Sequence, residues 1–276
     1  MKRLFLAGAA ALFLTTFVRA QQQNPATPAL RAQEIPATSL DCKDLPQILN
    51  RLEDANNRLR DWAQLDRYRE SDAQLAAPSK GEDRVVFMGD SITDGWNNPQ
   101  FGGFFPGKPY VNRGISGQTT PQMLIRFRPD VIALQPEVVV ILAGTNDLAG
   151  NTGPISVEET EGNLATMAEL AKAHGIRVVL SSVMPVSDAI ANPKGGTFLQ
   201  TARRAPEKIL AVNQWMKKYA DENGCVYLDY FNAMVDEKGA FKTELTYDGL
   251  HPNGQGYTVM APLAEKAIHQ ALRQKP

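Results

Sequence analysis

Two short motifs, far apart in the sequence, carry residue types suited to nucleophilic catalysis. Ser91 ends the run Gly-Asp-Ser at residues 89–91, and His251 follows Asp248 by three residues. A serine hydroxyl becomes a strong nucleophile when a base accepts its proton, and a carboxylate can orient a histidine for that task. We therefore expect acyl transfer with Ser91 as nucleophile, His251 as base and Asp248 as the orienting group.

The residues before Ser91 indicate how it is presented. Residues 85–88 form an uninterrupted apolar run, which is typical of a strand covered on both faces of a parallel sheet. Gly89 then allows a sharp turn of the backbone. Ser91 is therefore predicted at the carboxyl end of the strand, where open α/β sheets bind ligands.

Two further segments place Gly or Asn just after a predicted strand. Segment 111–117 (VNRGISG) follows a short strand that begins near Tyr110. Segment 138–147 (VVVILAGTND) is a strongly apolar strand that ends in Gly-Thr-Asn-Asp. Because parallel strands end at one edge of a sheet, all these segments are expected beside Ser91.

Together the four segments resemble those of the SGNH, or GDSL, hydrolases, which are named for Ser, Gly, Asn and His in four separate motifs. The resemblance extends from about Arg84 to the C-terminal helix. It implies a triad of Ser91, Asp248 and His251. It also implies an oxyanion hole formed by the backbone N–H groups of Ser91 and Gly114 and the side-chain amide of Asn146, donors that would stabilise a tetrahedral intermediate. Within the family, the motifs resemble platelet-activating-factor acetylhydrolase subunits and lysophospholipase-like esterases.

The rest of the domain predicts a single α/β fold. Helical patterns at residues 157–173 and 205–222 each precede a predicted strand, at 177–183 and 226–229, and a last helix begins near Gln255. Right-handed crossovers and the family resemblance favour a doubly wound, flavodoxin-like parallel sheet of five strands in the order 2-1-3-4-5, with helices on both faces.

Other chemistries lack their usual motifs. No Gly-x-Ser-x-Gly, Gly-x-x-x-x-Gly-Lys-Ser/Thr or Gly-x-Gly-x-x-Gly occurs, which argues against an α/β-hydrolase elbow and against nucleotide binding. The three histidines, His174, His251 and His269, are far apart. We expect no cofactor and no metal. The net charge of −1 gives no basic surface for nucleic acid.

Aromatic residues in the loop after the nucleophile raise the question of substrate. Asp90, Trp96, Phe104 and Phe105 are predicted to contact substrate, although the aromatic rings would equally serve to pin the loop to the domain. Our leading hypothesis is an esterase that removes short acyl groups such as acetyl from a small-molecule or carbohydrate ester. The alternatives are a lysophospholipase or thioesterase acting on longer chains, and a non-catalytic glycan-binding protein.

The N-terminal sequence predicts export. Residues 1–20 have a basic start, an apolar stretch and a small-residue cleavage site at Ala20, as in a signal peptide, which indicates a periplasmic or extracellular protein without a stable membrane anchor. We then expect a flexible leader at 21–40, a helical segment at 41–80 packed on the domain, and the hydrolase domain at 81–276. Cys42 and Cys225 would either form a disulfide or leave Cys225 as a buried thiol.

Overall fold

The computed structural model describes residues 43–101 and 103–274. The predicted signal peptide and leader, together with Cys42, lie outside the described residues. The chain divides into two compact units, residues 1–51 and 52–276. In the first unit, the described residues 43–51 form a turn and the beginning of a helix. The sheet and the candidate site belong to the second unit.

A parallel sheet forms the centre of the second unit. Its strands lie in the order 2-1-3-4-5, which confirms the predicted topology. The strands are β1 (Val85–Gly89), β2 (Tyr110–Gly114), β3 (Val138–Leu142), β4 (Arg177–Ser181) and β5 (Val226–Leu228). In the register of β1, Gly89 is the partner of Gly114 on one side and of Leu142 on the other. The loops after β1, β2 and β3 therefore begin side by side at the same edge of the sheet.

Helices connect the strands. Those of the described residues are α1 (Leu45–Arg60), α2 (Arg69–Gln74), α3 (Ser91–Gly95), α4 (Thr120–Asp130), α5 (Thr145–Leu148), α6 (Val157–Ala173), α7 (Pro206–Asn223), α8 (Tyr230–Met234) and α9 (Gly254–Leu272). The bounds of α6 are those predicted, α7 lies within one residue of prediction, and α9 begins within one residue of the predicted start. Over the described part of the chain, no helix combines the length and apolar character needed to cross a bilayer.

The two faces of the sheet are covered by different helices. Alternate residues of a strand point to opposite faces, so Val86 and Met88 pack in one apolar cluster while Val85 and Phe87 pack in another. The first cluster includes buried side chains of α4, α6 and α7, and the second includes those of α3, α8 and α9. This arrangement confirms helices on both faces.

The fourth strand is shorter than predicted. It ends at Ser181 instead of continuing to Val183, although Val183 is buried. The Asn213 side chain, from α7, accepts a hydrogen bond from the Val183 N–H at 2.8 Å and donates to the Val183 carbonyl at 2.9 Å. The Asn213 side chain therefore satisfies the N–H and the carbonyl of Val183, which in a continuing strand would bond to the backbone of a neighbouring strand.

The described part of the predicted helical segment at 41–80 contains two helices, α1 and α2, with a break at residues 61–68. The Asp61 carboxylate accepts hydrogen bonds from the backbone N–H groups of Leu65, at 2.8 Å, and Asp66, at 3.0 Å. Short polar side chains that bond to nearby backbone compete in this way with a continuing helix. The break carries Ala63 into a buried position.

Cys225 is buried at the start of β5, and burial raises the pKa of its thiol. Its sulfur lies 3.8 Å from the carbonyl oxygen of Asn223. A disulfide with Cys42 stays a prediction, because Cys42 is outside the described residues.

Candidate active site

Ser91 is the first residue of α3, directly after β1. Asp90 caps this short helix by accepting a hydrogen bond from the Ile92 N–H at 2.9 Å. A Cβ on Gly89 would lie 2.0 Å from the Thr93 hydroxyl oxygen, so only glycine fits where the chain leaves the strand and turns. The Ser91 N–H is among the first of the helix, and a helix leaves its first N–H groups unbonded.

Ser91, His251 and Asp248 form a continuous hydrogen-bonded row. The Ser91 Oγ lies 2.9 Å from His251 Nε2, and His251 Nδ1 lies 2.7 Å from Asp248 Oδ2. An ionised carboxylate only accepts, so the Nδ1 proton is donated to Asp248 and Nε2 is left to accept the serine proton.

Asp248 is held in its ionised form by the turn it belongs to. Burial alone would raise its pKa, but hydrogen bonds from the His251 ring and from the backbone N–H groups of His251 and Leu250 outweigh burial and place the pKa below its usual value. A Cβ on Gly249 would lie 2.0 Å from the Ser187 carbonyl oxygen, which fixes glycine at the centre of this turn.

Two residues beside His251 were not predicted from the sequence. The Thr246 hydroxyl donates to the His251 carbonyl oxygen at 2.6 Å and accepts from the Gly249 N–H at 3.0 Å. The ring of Tyr247 stacks on the imidazole with centroids 5.7 Å apart and planes at 11°. Thr246 fixes the backbone of the turn and Tyr247 covers one face of the ring.

Asn146 lies at the carboxyl end of β3, at the start of α5. Its Nδ2 donates to the Gln118 carbonyl oxygen at 3.0 Å, and its Oδ1 accepts from Asn151 Nδ2 at 2.9 Å. Asn151 also donates to the Gly117 carbonyl oxygen at 3.1 Å. With Oδ1 turned towards Asn151, one of the two N–H bonds of the Asn146 amide is left available to a ligand.

Gly114 does not fit the predicted oxyanion hole. Its N–H donates to the Asn112 side chain at 2.9 Å, and its carbonyl accepts from the Tyr68 hydroxyl. A Cβ at this position would lie 2.1 Å from the Asp94 backbone nitrogen. The glycine is therefore required by close packing of β2 against α3, and its N–H is already used. The prediction for Gly114 is wrong.

Gly117, three residues later, has the properties expected of Gly114. It is exposed and adopts a left-handed φ of +80°, and its N–H makes no hydrogen bond within the described chain. Its carbonyl accepts from Asn151, which holds Asn146, so the two residues are neighbours. The second glycine of the VNRGISG segment was the available signal, but spacing alone did not separate it from the first.

The family can be decided by comparison with known proteins. The sequence model of the GDSL-like Lipase/Acylhydrolase family matches residues 87–259, which contain all four segments of the site. The chain belongs to this family. The resemblance predicted from the four motifs is confirmed, and the chain is a carboxylic ester hydrolase.

Individual relatives agree with the family. A GDSL-like lipase from Bacteroides thetaiotaomicron is 45% identical, with a TM-score of 0.67, over 76% of this chain and 98% of that one. An acetylxylan esterase from Geobacillus stearothermophilus is 25% identical over 65% of this chain and 90% of its own length. The uncharacterized lipoprotein YqeF of Bacillus subtilis is 29% identical over 51% of this chain, and the match spans 65% of YqeF, just under two thirds of its length.

The predicted substrate contacts in this esterase need correction. Trp96 and Phe105 are buried, and with Phe104 they surround Phe87 of β1 at centroid distances of 5.0 to 6.1 Å. Their packing on the strand pins the loop to the domain, and the side chains of Trp96 and Phe105 are almost entirely buried. Phe104 is half-buried in the same cluster.

Asp90 is also unavailable to substrate. It is completely buried, and its second carboxylate oxygen has no hydrogen-bond partner in the described structure. Burial raises the pKa of Asp90 to about 6, although the hydrogen bond from Ile92 and the nearby charge of His251 act in the opposite direction. Its role is to cap α3 beneath the site.

Two arginines that follow the loop after β4 join the separate parts of the site. Arg204 is buried and donates through Nε to the Thr145 carbonyl at 3.2 Å and through Nη1 to Gln200 at 3.1 Å. Gln200 donates in turn to the Asp248 carbonyl at 3.1 Å. Arg203 donates to the Asn151 side chain at 2.9 Å. No sequence motif predicted these long-range contacts.

Proposed function

We propose that the chain is an exported serine esterase that removes short acyl groups, chiefly acetyl, from carbohydrates. The observation that carries the catalytic part of the proposal is the row of hydrogen bonds, 2.9 Å and 2.7 Å long, from Ser91 through His251 to Asp248. A hydroxyl, an imidazole and an ionised carboxylate in this order can move one proton and form one covalent bond.

The first half of the reaction makes an acyl-enzyme. His251 Nε2 takes the hydroxyl proton as Ser91 Oγ bonds to the ester carbonyl carbon, and the carbonyl oxygen becomes negatively charged. The Ser91 and Gly117 N–H groups and the free N–H of Asn146 are the donors we assign to that oxygen. When the intermediate collapses, the bond to the leaving alkoxide breaks and His251 returns the proton to it.

The second half of the reaction releases the acid. A water molecule gives its proton to His251 and bonds to the acyl carbon, passing through a second oxyanion held by the same donors. The bond to Ser91 then breaks, and the serine recovers its proton from His251. Asp248 remains ionised throughout and stabilises the imidazolium that forms in each half.

Two observations support a short acyl group on a sugar. The aromatic rings of Trp96 and Phe105, which would have lined a long acyl pocket, are committed to the core. A relative that the chain covers for 90% of its length is called an acetylxylan esterase. Export is supported by the predicted signal peptide at residues 1–20, and one relative is a lipoprotein.

The test is hydrolysis of p-nitrophenyl esters with acyl chains of two to sixteen carbons, together with acetylated oligosaccharides. We expect kcat/KM to be highest for acetate and to fall with chain length, and Ser91→Ala to fold but lose nearly all activity. A maximum at long chains would favour the lysophospholipase or thioesterase alternative. Inactivity on every ester would favour the glycan-binding alternative.

A further inference from the structure

A groove of about 1080 Å³ adjoins the proposed oxyanion hole. Gly117 and Asn151 are among its lining residues, and Asn151 donates the hydrogen bond that holds Asn146. Another part of its wall is formed by residues from Arg60, the last of α1, to Arg67, just before α2. This wall precedes the part of the chain that matches the family, residues 87–259.

The lining of this groove is polar. Of the described residues that line it, none is aliphatic, and its polar groups include the half-buried amide of Gln64 and the exposed charged side chains of Arg60 and Arg67. Pockets that hold apolar ligands are lined mainly by hydrophobic side chains, because the binding energy comes from buried apolar area. A fatty acyl chain would gain little here, whereas amide and charged side chains form hydrogen bonds with sugar hydroxyls.

One aromatic ring, that of Trp62, is presented at the groove. The Trp62 residue is 42% exposed, although its backbone is firmly held. Its carbonyl oxygen accepts from the Gln122 side chain at 2.7 Å, and the next carbonyl, that of buried Ala63, accepts from Gln118 at 2.8 Å. Since the backbone is already ordered, a ligand that covers the ring gains apolar contact at little entropic cost.

We propose that this groove binds the saccharide part of an ester substrate, with Trp62 stacked on a pyranose ring and the solvent-accessible polar side chains of the lining, the Gln64 amide among them, bonded to its hydroxyls. The inference rests on the proposed esterase function and adds that residues 60–67 determine preference for oligosaccharide esters. A pyranose ring has an apolar face and a polar rim, which matches one exposed indole surrounded by hydrogen-bonding side chains.

The kinetic test compares two kinds of substrate in Trp62→Ala. We expect kcat/KM for O-acetylated xylo-, cello- and chito-oligosaccharides to fall about tenfold through KM, about the effect of losing one aromatic contact. Activity on p-nitrophenyl acetate, which has no sugar ring to stack on Trp62, should be unchanged. Ile125→Ala is the matched control, since Ile125 is 50% exposed and does not line the groove.

A binding test separates this inference from the esterase proposal. Unacetylated xylo-, cello- and chito-oligosaccharides are titrated calorimetrically into Ser91→Ala, with and without Trp62→Ala. Binding of any of the three that is lost with Trp62→Ala supports the groove even if no ester is hydrolysed. The inference is overturned if none binds, if Trp62→Ala leaves binding intact, or if it lowers p-nitrophenyl acetate hydrolysis as much as oligosaccharide hydrolysis.

Discussion

Asn151→Asp provides a sharp test of how the oxyanion donors are oriented. The Asn151 side chain accepts from Arg203 at 2.9 Å and donates to the Asn146 Oδ1 at 2.9 Å and the Gly117 carbonyl at 3.1 Å. Aspartate has nearly the same shape but only accepts. It would keep the bond to Arg203 and set an oxygen against both acceptors, so the Asn146 amide would turn its NH₂ group away from the substrate.

The expected fall in kcat follows from the loss of one hydrogen-bond donor to the oxyanion. Deleting an oxyanion-hole side-chain donor lowers kcat by about 10²–10³. Because turning the Asn146 amide would break its bond to the Gln118 carbonyl, the flip is opposed, and we expect a smaller fall, about 10- to 100-fold, or roughly 1.4–2.7 kcal/mol. KM should hardly change, since the bond to the oxyanion strengthens in the transition state.

The assay is kcat and KM on p-nitrophenyl acetate, alone and in an Asn146→Ala background. If Asn151 acts by orienting Asn146, the second substitution should add little to the first. Asn98→Asp is a matched control, because Asn98 accepts from the Gln100 N–H and aspartate preserves that bond. The reasoning would be refuted by a kcat for Asn151→Asp within twofold of that of the unmodified enzyme. It would also be refuted if Asn151→Asp lowered kcat as much in the Asn146→Ala background as it does alone.

Three further predictions concern the triad, the two glycines and the buried acid. Asp248→Asn should fold but lower kcat about 10²–10⁴-fold on p-nitrophenyl acetate, because an amide favours the wrong imidazole tautomer. Gly114→Ala should lower the melting temperature sharply, because its Cβ would lie 2.1 Å from the Asp94 nitrogen. Gly117→Ala meets no atom closer than 4.0 Å, so it should lower the melting temperature less, through the left-handed φ of +80° alone, and should lower kcat by shifting the oxyanion N–H. Asp90 has a folded pKa of about 6, above its reference of 3.8, so folding is penalised progressively as pH rises between these values. In urea unfolding, the stability of Asp90→Asn relative to the unmodified protein should therefore rise by about 2.4 kcal/mol from pH 4 to pH 7.5, and an unchanged difference would contradict the buried, raised pKa.

The fold was predictable because its signals are local. The apolar runs at β1 and β3 are continuous, as required of strands buried on both faces, and they end at glycine. Helix α6 begins with a capping box between Ser156 and Glu159, a pattern visible in the sequence, and its bounds were predicted correctly. The break at Asp61 was missed, because a side chain competing with a helix is not distinguished by periodicity.

The site was predictable only where strand ends determine position. The expectation that Ser91 and Asn146 lie at one edge follows from parallel strands, and the structure places both there. Gly114 was chosen wrongly because the bond that occupies its N–H comes from the Asn112 side chain, a contact that motif spacing does not reveal. Trp96 was misplaced because apolar composition does not say whether a ring faces the core or solvent.

The contacts that complete the site join segments distant in sequence. Arg203 reaches Asn151 across 52 residues, and Gln122 reaches the Trp62 carbonyl across 60. Such pairs have no local pattern, since each partner alone is an ordinary polar residue. They become visible only when the sheet brings the loops together.

The most direct test of the central claim is to identify the nucleophile by covalent labelling. The full-length protein is treated with a fluorophosphonate, digested, and analysed by mass spectrometry. The account predicts one adduct, on Ser91, that is absent in Ser91→Ala and greatly slowed in His251→Ala, because the imidazole must accept the serine proton. An adduct on another residue, or equal labelling of Ser91→Ala, would contradict it.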